Sequence, residues 1–79
     1  MNIKVYTLPN CQPCRITKRK LTDVGLEYTE LDARDHVDYI DSLGYRASPV
    51  VTVVTDDGEL LSWSGHCPRL IDELVGDDV

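Results

Sequence analysis

Four short segments have the hydrophobic patterns or compositions of β-strands. In the first segment, Ile3, Val5 and Thr7 fall on one side of an alternating pattern. The third segment is a run of β-branched residues, which is typical of a buried strand. Asp57-Gly58 is a strong hairpin signal that joins the third strand to the fourth. The predicted strands cover residues 2–7, 27–32, 50–54 and 59–63.

Between the first two strands, the spacing of apolar residues predicts an amphipathic helix from about Gln12 to Val24. Gly25 follows it, as expected at a helix C-terminus. Basic side chains cover much of the other helix face, since four of the eight lysines and arginines of the chain lie between positions 15 and 20. The face expected to be buried consists of Cys14, Thr17, Leu21 and Val24.

Two further helices are predicted in the second half of the chain. Asp35 is expected to cap one of them and Gly44 to end it, with an apolar stripe of Val37, Ile40 and Leu43. Pro68 suits the first turn of the last helix, which is expected to end at Gly76 and to bury Leu70, Ile71, Leu74 and Val75. The remaining tail, residues 77–79, is expected to fray.

The predicted order of elements is therefore β-α-β-α-β-β-α. Two strands joined by a helix lie parallel with a right-handed crossover, whereas a hairpin adds antiparallel strands. This order predicts an α/β protein in which a four-stranded mixed sheet carries helices on its faces. At 79 residues, the chain is expected to form one domain over residues 1–79.

The composition excludes several classes of function. An apolar content of 42% is ordinary for a globular protein, and a net charge of −6 disfavours nonspecific binding to nucleic acid. The sequence contains no apolar run of the ~18–20 residues that a membrane-spanning helix needs. The N-terminal segment lacks the pattern of a signal peptide, so we expect a cytoplasmic, reducing location.

The candidate chemistry lies in the segment Cys11-Gln12-Pro13-Cys14, between the first strand and the first helix. Backbone N–H groups and the dipole at a helix start favour negative charge, so a Cys11 thiolate is expected to be stabilised there. Cys14 lies one turn further into the helix and is expected to be more buried. The two residues are therefore predicted to act as nucleophile and resolving thiol, and to form a redox-active disulfide.

Two other interpretations of these cysteines remain open. The pair could be chemically inert, or it could form half of a zinc site that His66 and Cys67 complete. Adjacent residues rarely converge on one metal ion, and the sequence has no second spaced pair of cysteines, so we expect no metal. The odd count of three cysteines also weakens the case for a structural disulfide framework.

Three segments resemble known redoxins. The segment from Tyr6 to Cys14 resembles the active-site segment of glutaredoxins. The segment from Leu43 to Val51, with its Ser-Pro before a β-branched strand, is similar to NrdH-type redoxins, and so is Trp63-Ser64-Gly65. These are the glutaredoxin-like hydrogen donors of class Ib ribonucleotide reductase, and the resemblance covers essentially the whole chain.

The resemblance implies a thioredoxin fold with a cis peptide bond before Pro49, and with the loop of that proline facing the dithiol. Ser48 is then able to offer backbone groups to an extended substrate strand. The residues expected around a partner or substrate are Tyr6, Gln12, Pro13, Ala47, Ser48, Pro49, Trp63, Ser64, Gly65 and His66. Tyr6 and Trp63 have an equally plausible role as packing residues of a small core.

We expect a monomer without bound cofactor. The same resemblance implies that it receives electrons from NADPH through thioredoxin reductase and passes them to ribonucleotide reductase or another disulfide-bearing protein. Glutathione is the alternative donor. Glutaredoxins usually carry a lysine where this chain has Leu8, and paired acidic residues within the stretch that here runs from Gly65 to Arg69. Both differences disfavour tight glutathione binding.

Cys67 has two possible roles. At the start of the last helix, it is expected to lie near the dithiol as a peripheral thiol that is prone to oxidation or glutathionylation. Alternatively, it fills space as a small apolar residue. In both cases, replacing Cys67 with serine is expected to leave dithiol turnover nearly intact.

Overall fold

The structure is a computed structural model that describes residues 1–76, so the expected fraying of residues 77–79 lies outside the described part. Its strands and α-helices follow the predicted order β-α-β-α-β-β-α. The strands are β1 (Asn2–Thr7), β2 (Thr29–Asp32), β3 (Val50–Val54) and β4 (Leu60–Ser64). The helices are α1 (Gln12–Asp23), α2 (Val37–Ser42) and α3 (Pro68–Gly76).

The four strands form one mixed sheet in the order β2-β1-β3-β4, which confirms the predicted architecture. β1 and β2 are parallel, with Lys4 opposite Thr29 and Thr7 opposite Asp32. The other two pairings, β1 with β3 and β3 with β4, are antiparallel. β1 is therefore an inner strand, and the dithiol follows its C-terminal end, with Cys11 in the loop and Cys14 in the first turn of α1.

Both faces of the central strands are buried, as the run of β-branched residues in β3 predicts. On one face, α1 and α3 cover the main core cluster, which consists of Ile3, Val5, Leu21, Val51, Val53, Trp63 and Ile71. On the other face, a smaller cluster contains Tyr6, Ala33, Ile40 and Val50. Because successive side chains of a strand point to opposite faces, Val50 and Val51 belong to different clusters.

The predicted start of the second helix is wrong. Residues Ala33–Asp35 form a 3₁₀ turn, and α2 begins only after His36. Asp32 caps this 3₁₀ turn, since its Oδ1 accepts the N–H of Arg34 at 2.9 Å, whereas α2 has His36, and not the predicted Asp35, at its N-cap position. Of the predicted apolar stripe, Ile40 is buried, whereas Val37 is 52% exposed.

The other boundaries differ from the predictions by only one or two residues. β2 begins at Thr29 rather than Glu27, and β4 covers Leu60–Ser64 rather than residues 59–63. α1 ends one residue earlier than predicted, and Gly25 then adopts a φ of 80° while its N–H donates to the Thr22 carbonyl. Such a positive φ suits glycine, which explains why the helix ends at this position.

Candidate active site

Cys11 and Cys14 form a disulfide at the start of α1, with their Cα atoms 5.3 Å apart. Cys11 is the N-cap residue of the helix, and its sulfur accepts the backbone N–H of Cys14 at 3.1 Å. Cys14 is only 2% exposed, whereas Cys11 is half-buried. The two sulfurs are therefore unequal, because a partner molecule can approach Cys11 more readily than Cys14.

The loop before β3 lies against Cys11, as the resemblance implies. The Ser48–Pro49 peptide bond is cis, and Ser48 Oγ lies 3.5 Å from Cys11 Sγ. The buried Pro49 accepts a hydrogen bond through its carbonyl oxygen from the N–H of Gly65 at 2.8 Å. This bond joins the proline loop to the segment before α3, so two loops that are distant in sequence lie side by side next to the dithiol.

A third connection joins the segment before α3 to α1. His66 Nδ1 lies 2.9 Å from the hydroxyl oxygen of Thr17, which is fully buried one helical turn after Cys14. Sequence reasoning placed Thr17 on the buried face but gave it no partner. A threonine on an otherwise apolar helix face was the available signal, since a buried hydroxyl needs a hydrogen-bond partner.

The other predicted site residues occupy two kinds of position. Tyr6 and Trp63 are 4% and 7% exposed and pack in the two core clusters, so packing is the role that the structure gives their side chains. The Tyr6 ring packs against the rings of His36 and Tyr39. Three predicted residues are exposed beside the dithiol and proline loop, namely Gln12, Pro13 and Ala47, and Ser64 is half-buried at the end of β4.

Two grooves meet beside the dithiol at Leu8 and Arg34, which line both of them. The groove that contains Cys11 has a volume of 380 Å³ and is lined mainly by polar and charged side chains, among them Arg15, Lys18 and Glu30. The second groove has a volume of 190 Å³ and is mainly apolar. It runs past Ala47 and Ser48 to α2 and includes Val37, Ile40, Tyr45 and Val50.

The carboxylates of the charged groove are held ionised by their neighbours. Hydrogen bonds from Lys18 and Thr7 lower the pKa of Glu30, with Lys18 making the larger contribution. The Arg34 guanidinium lowers the pKa of Asp32 to about 2 through side-chain hydrogen bonds, assisted by the N–H of Arg34. Because both acids are paired with cations, this groove offers fixed charges of both signs beside Cys11.

Neither a metal centre nor a membrane span emerges from the described part of the chain. Within residues 1–76, no group of three or more His, Cys, Asp or Glu side chains is arranged to hold a metal ion. His66 and Cys67, the ligands considered for zinc, do not converge with the dithiol on such a group in that range. Over the same residues, no helix is both long and apolar enough to cross a bilayer.

Comparison with known proteins agrees with this geometry. Residues 3–60 match the family model of glutaredoxins. The glutaredoxin-like protein NrdH of Salmonella typhimurium is 36% identical over 77 residues, covering 94% of this chain and 89% of the relative. The NrdH protein of Escherichia coli K12 is 32% identical with the same coverage.

Solved structures give the same result. The structure of the Escherichia coli NrdH-redoxin superimposes with a TM-score of 0.80 at 31% identity, covering 94% of this chain and 95% of the other. Chloroplastic thioredoxin z superimposes with a TM-score of 0.73 at 23% identity, covering 95% of this chain and 74% of that one, which supports the fold alone. The thioredoxin fold implied by the sequence resemblance is thereby confirmed.

The fold and the paired cysteines define a thiol–disulfide oxidoreductase of the thioredoxin-fold class. Within that class, the chain belongs to the glutaredoxin family and is an NrdH-like redoxin.

The hydrogen bond between Thr17 and His66 is expected to contribute to the free energy of unfolding. We expect Thr17→Val and His66→Phe each to lower the free energy of unfolding by about 1 kcal/mol, because each leaves the other polar group without its partner. The double variant is expected to cost less than the sum of the two, since neither polar group then remains. Urea denaturation of the four proteins measures the coupling.

Thr22→Val is the matched control for this cycle, because Thr22 is exposed on the same helix. It is expected to change the free energy of unfolding by less than about 0.5 kcal/mol. Strict additivity of Thr17→Val and His66→Phe would contradict an energetic role for the hydrogen bond.

Proposed function

We propose that this redoxin reduces disulfides of partner proteins through a two-step dithiol mechanism. The Cys11 thiolate attacks one sulfur of the partner disulfide, forms a mixed disulfide and releases the other partner sulfur as a thiolate. Cys14, as a thiolate, then attacks Cys11, so that the second partner sulfur leaves and a Cys11–Cys14 disulfide remains. Two electrons thus pass from the dithiol to the partner. A reductase then supplies two electrons to the Cys11–Cys14 disulfide and restores the dithiol.

The observation that carries this proposal is the inequality of the two cysteines. Both cysteines line the open charged groove, but Cys11 caps the helix and is half-buried, whereas Cys14 is only 2% exposed. An attacking thiol needs access to a bulky substrate, whereas a resolving thiol needs only to reach the neighbouring sulfur. The helix N-terminus adds the positive end of a dipole beside Cys11, which favours the thiolate.

The partner is expected to lie across the proline loop. Ser48 and Ala47 line the apolar groove next to Cys11, so an extended segment with an apolar side chain near its cysteine fits there. Gln12 and Pro13, which are exposed between the two cysteines, are expected to contact the partner. The segment Ser64-Gly65-His66 holds the proline loop through the bond from the Gly65 N–H to the Pro49 carbonyl, and is joined to α1 through His66 and Thr17. Pro49, Tyr6 and Trp63 contribute as buried supports.

For the electron donor, we propose NADPH acting through thioredoxin reductase, with no bound cofactor. Leu8, where glutaredoxins usually have a lysine, is 39% exposed at the junction of the two grooves and offers no charge to a glutathione carboxylate. In addition, the Escherichia coli NrdH-redoxin is described as having a thioredoxin-like activity profile. The proposed target is class Ib ribonucleotide reductase, in a cytoplasmic setting, and the redoxin acts as a monomer.

An NADPH-coupled assay with a protein disulfide substrate tests this proposal. We expect rapid turnover with thioredoxin reductase, and turnover near background when glutathione and glutathione reductase replace it. Leu8→Lys supplies a sharper comparison, because it introduces the lysine of glutaredoxins at the junction of the two grooves. This variant is expected to increase only the glutathione-dependent rate. Cys11→Ser defines the background. Efficient reduction by glutathione together with no response to thioredoxin reductase would establish the glutaredoxin alternative instead.

A further inference from the structure

The sulfur of Cys11 has two hydrogen-bond donors within reach. One is the backbone N–H of Cys14 at 3.1 Å, which belongs to the helix start. The other is the side-chain hydroxyl of Ser48, whose oxygen lies 3.5 Å away. A sulfur in a disulfide has no proton to give. The Ser48 hydroxyl is therefore the donor and Cys11 Sγ the acceptor in this contact.

We propose that the Ser48 side chain is a catalytic hydrogen-bond donor that stabilises the thiolate of Cys11. This role differs from the backbone contact with substrate that the sequence resemblance implies for the same residue. It rests on the proposed function, in which Cys11 is the attacking thiol. The chemical step is unchanged: the hydroxyl keeps its proton, and the electron pair on Cys11 sulfur attacks the substrate disulfide as before.

The location of Ser48 makes this contact effective. Ser48 is half-buried, so its hydroxyl is partly shielded from water, and hydrogen bonds strengthen as the local dielectric falls. The backbone next to Ser48 is anchored, since the neighbouring Pro49 carbonyl accepts the N–H of Gly65 at 2.8 Å. A hydrogen bond to an ionised acceptor is stronger than one to a neutral sulfur, so the thiolate gains more than the disulfide does.

Two consequences follow from preferential stabilisation of the thiolate. The fraction of Cys11 that is ionised at neutral pH rises, which speeds attack, although each thiolate becomes somewhat less nucleophilic as its pKa falls. The reduced form is also stabilised relative to the disulfide. Loss of the hydroxyl is therefore expected to make Cys11 slower to react below its pKa and the protein harder to keep reduced.

The test measures the rate of Cys11 alkylation by iodoacetamide against pH, in the reduced protein with Cys67→Ser, with the modified cysteine identified by mass spectrometry. In Ser48→Ala, the rate below the pKa is expected to fall about 3- to 10-fold, as loss of one charge-assisted hydrogen bond implies. The pH midpoint is expected to move upward. In a glutathione redox buffer, the oxidised fraction is expected to increase.

Three further variants make the result specific. Ser48→Gly also lacks the hydroxyl and is expected to behave like Ser48→Ala, whereas Ser48→Thr keeps a hydroxyl and is expected to restore the parent profile. Ser42→Ala removes an exposed hydroxyl on α2 that bonds to the Tyr39 carbonyl, and is expected to change nothing. Superimposable profiles for the parent protein and Ser48→Ala, or a Ser48→Thr protein as slow as Ser48→Ala, would overturn the role of Ser48.

The same experiment separates this inference from the proposed function. If alkylation of the parent protein occurs at Cys14 rather than Cys11, the assignment of the attacking thiol is wrong and the proposed mechanism fails. If Cys11 is the reactive thiol but its alkylation rate does not change when the Ser48 hydroxyl is lost, only the role of Ser48 is wrong.

Discussion

Replacing Cys11 with serine is expected to reduce disulfide reductase activity to the rate of the uncatalysed exchange. The serine hydroxyl is not ionised at neutral pH, and without the Cys11 sulfur no mixed disulfide forms. Cys14 cannot substitute for it, because only 2% of that residue is exposed. Reduction of a protein disulfide, followed through NADPH consumption with thioredoxin reductase, measures the loss.

Cys14→Ser is expected to behave differently, although it also lacks one sulfur of the pair. Cys11 in this variant still attacks the partner, but no internal thiol releases it, so a mixed disulfide accumulates. A gel run without reductant detects this species, and treatment with dithiothreitol removes it. Cys67→Ser is the matched control and is expected to retain turnover. Full dithiol turnover by Cys14→Ser would show that the two-step mechanism is wrong.

The elements that pack against the main core could be predicted well from the sequence. The apolar face of α1 repeats with the helical period, which placed Leu21 on the buried face, and the continuous β-branched run of β3, which includes Val51 and Val53, predicted a buried strand. The short second helix was harder. Two carboxylates, Asp32 and Asp35, precede it, but neither caps α2. Asp32 accepts the N–H of Arg34 at the start of the 3₁₀ turn, and His36, the N-cap residue of α2, makes no side-chain capping bond. Local sequence does not distinguish a carboxylate that caps a 3₁₀ turn from one that caps the following helix.

The dithiol could be predicted because its two cysteines are close in sequence and because a helix start stabilises a thiolate. The contacts that surround it could not be predicted from spacing. Ser48 lies 37 residues from Cys11, and His66 lies 49 residues from Thr17. Their proximity depends on where β3 and α3 place two loops, which is a property of the whole sheet. The resemblance identified the loops, but it did not identify these side-chain bonds.

A second large effect, on the free energy of unfolding, is expected from a substitution in the main core cluster. Ile71 of α3 is fully buried in the main cluster, whereas Ile16 of α1 is 50% exposed. Ile71→Ala is expected to lower the free energy of unfolding by about 3 kcal/mol, because it removes buried methylene and methyl groups and leaves a cavity. For a domain of this size, total stability is of the order of 4–12 kcal/mol, so the loss is a substantial share.

Ile16→Ala is the control, since it makes the same chemical change on an exposed helix position. It is expected to alter the free energy of unfolding by less than about 0.5 kcal/mol, and alanine's higher helix propensity favours a small gain. Thermal denaturation measures both, and Ile71→Ala is expected to lower Tm by about 12–24 °C. Below its Tm, that variant is expected to retain dithiol turnover, because Ile71 touches no reacting atom. Equal losses of stability in the two variants would contradict the packing described for α3.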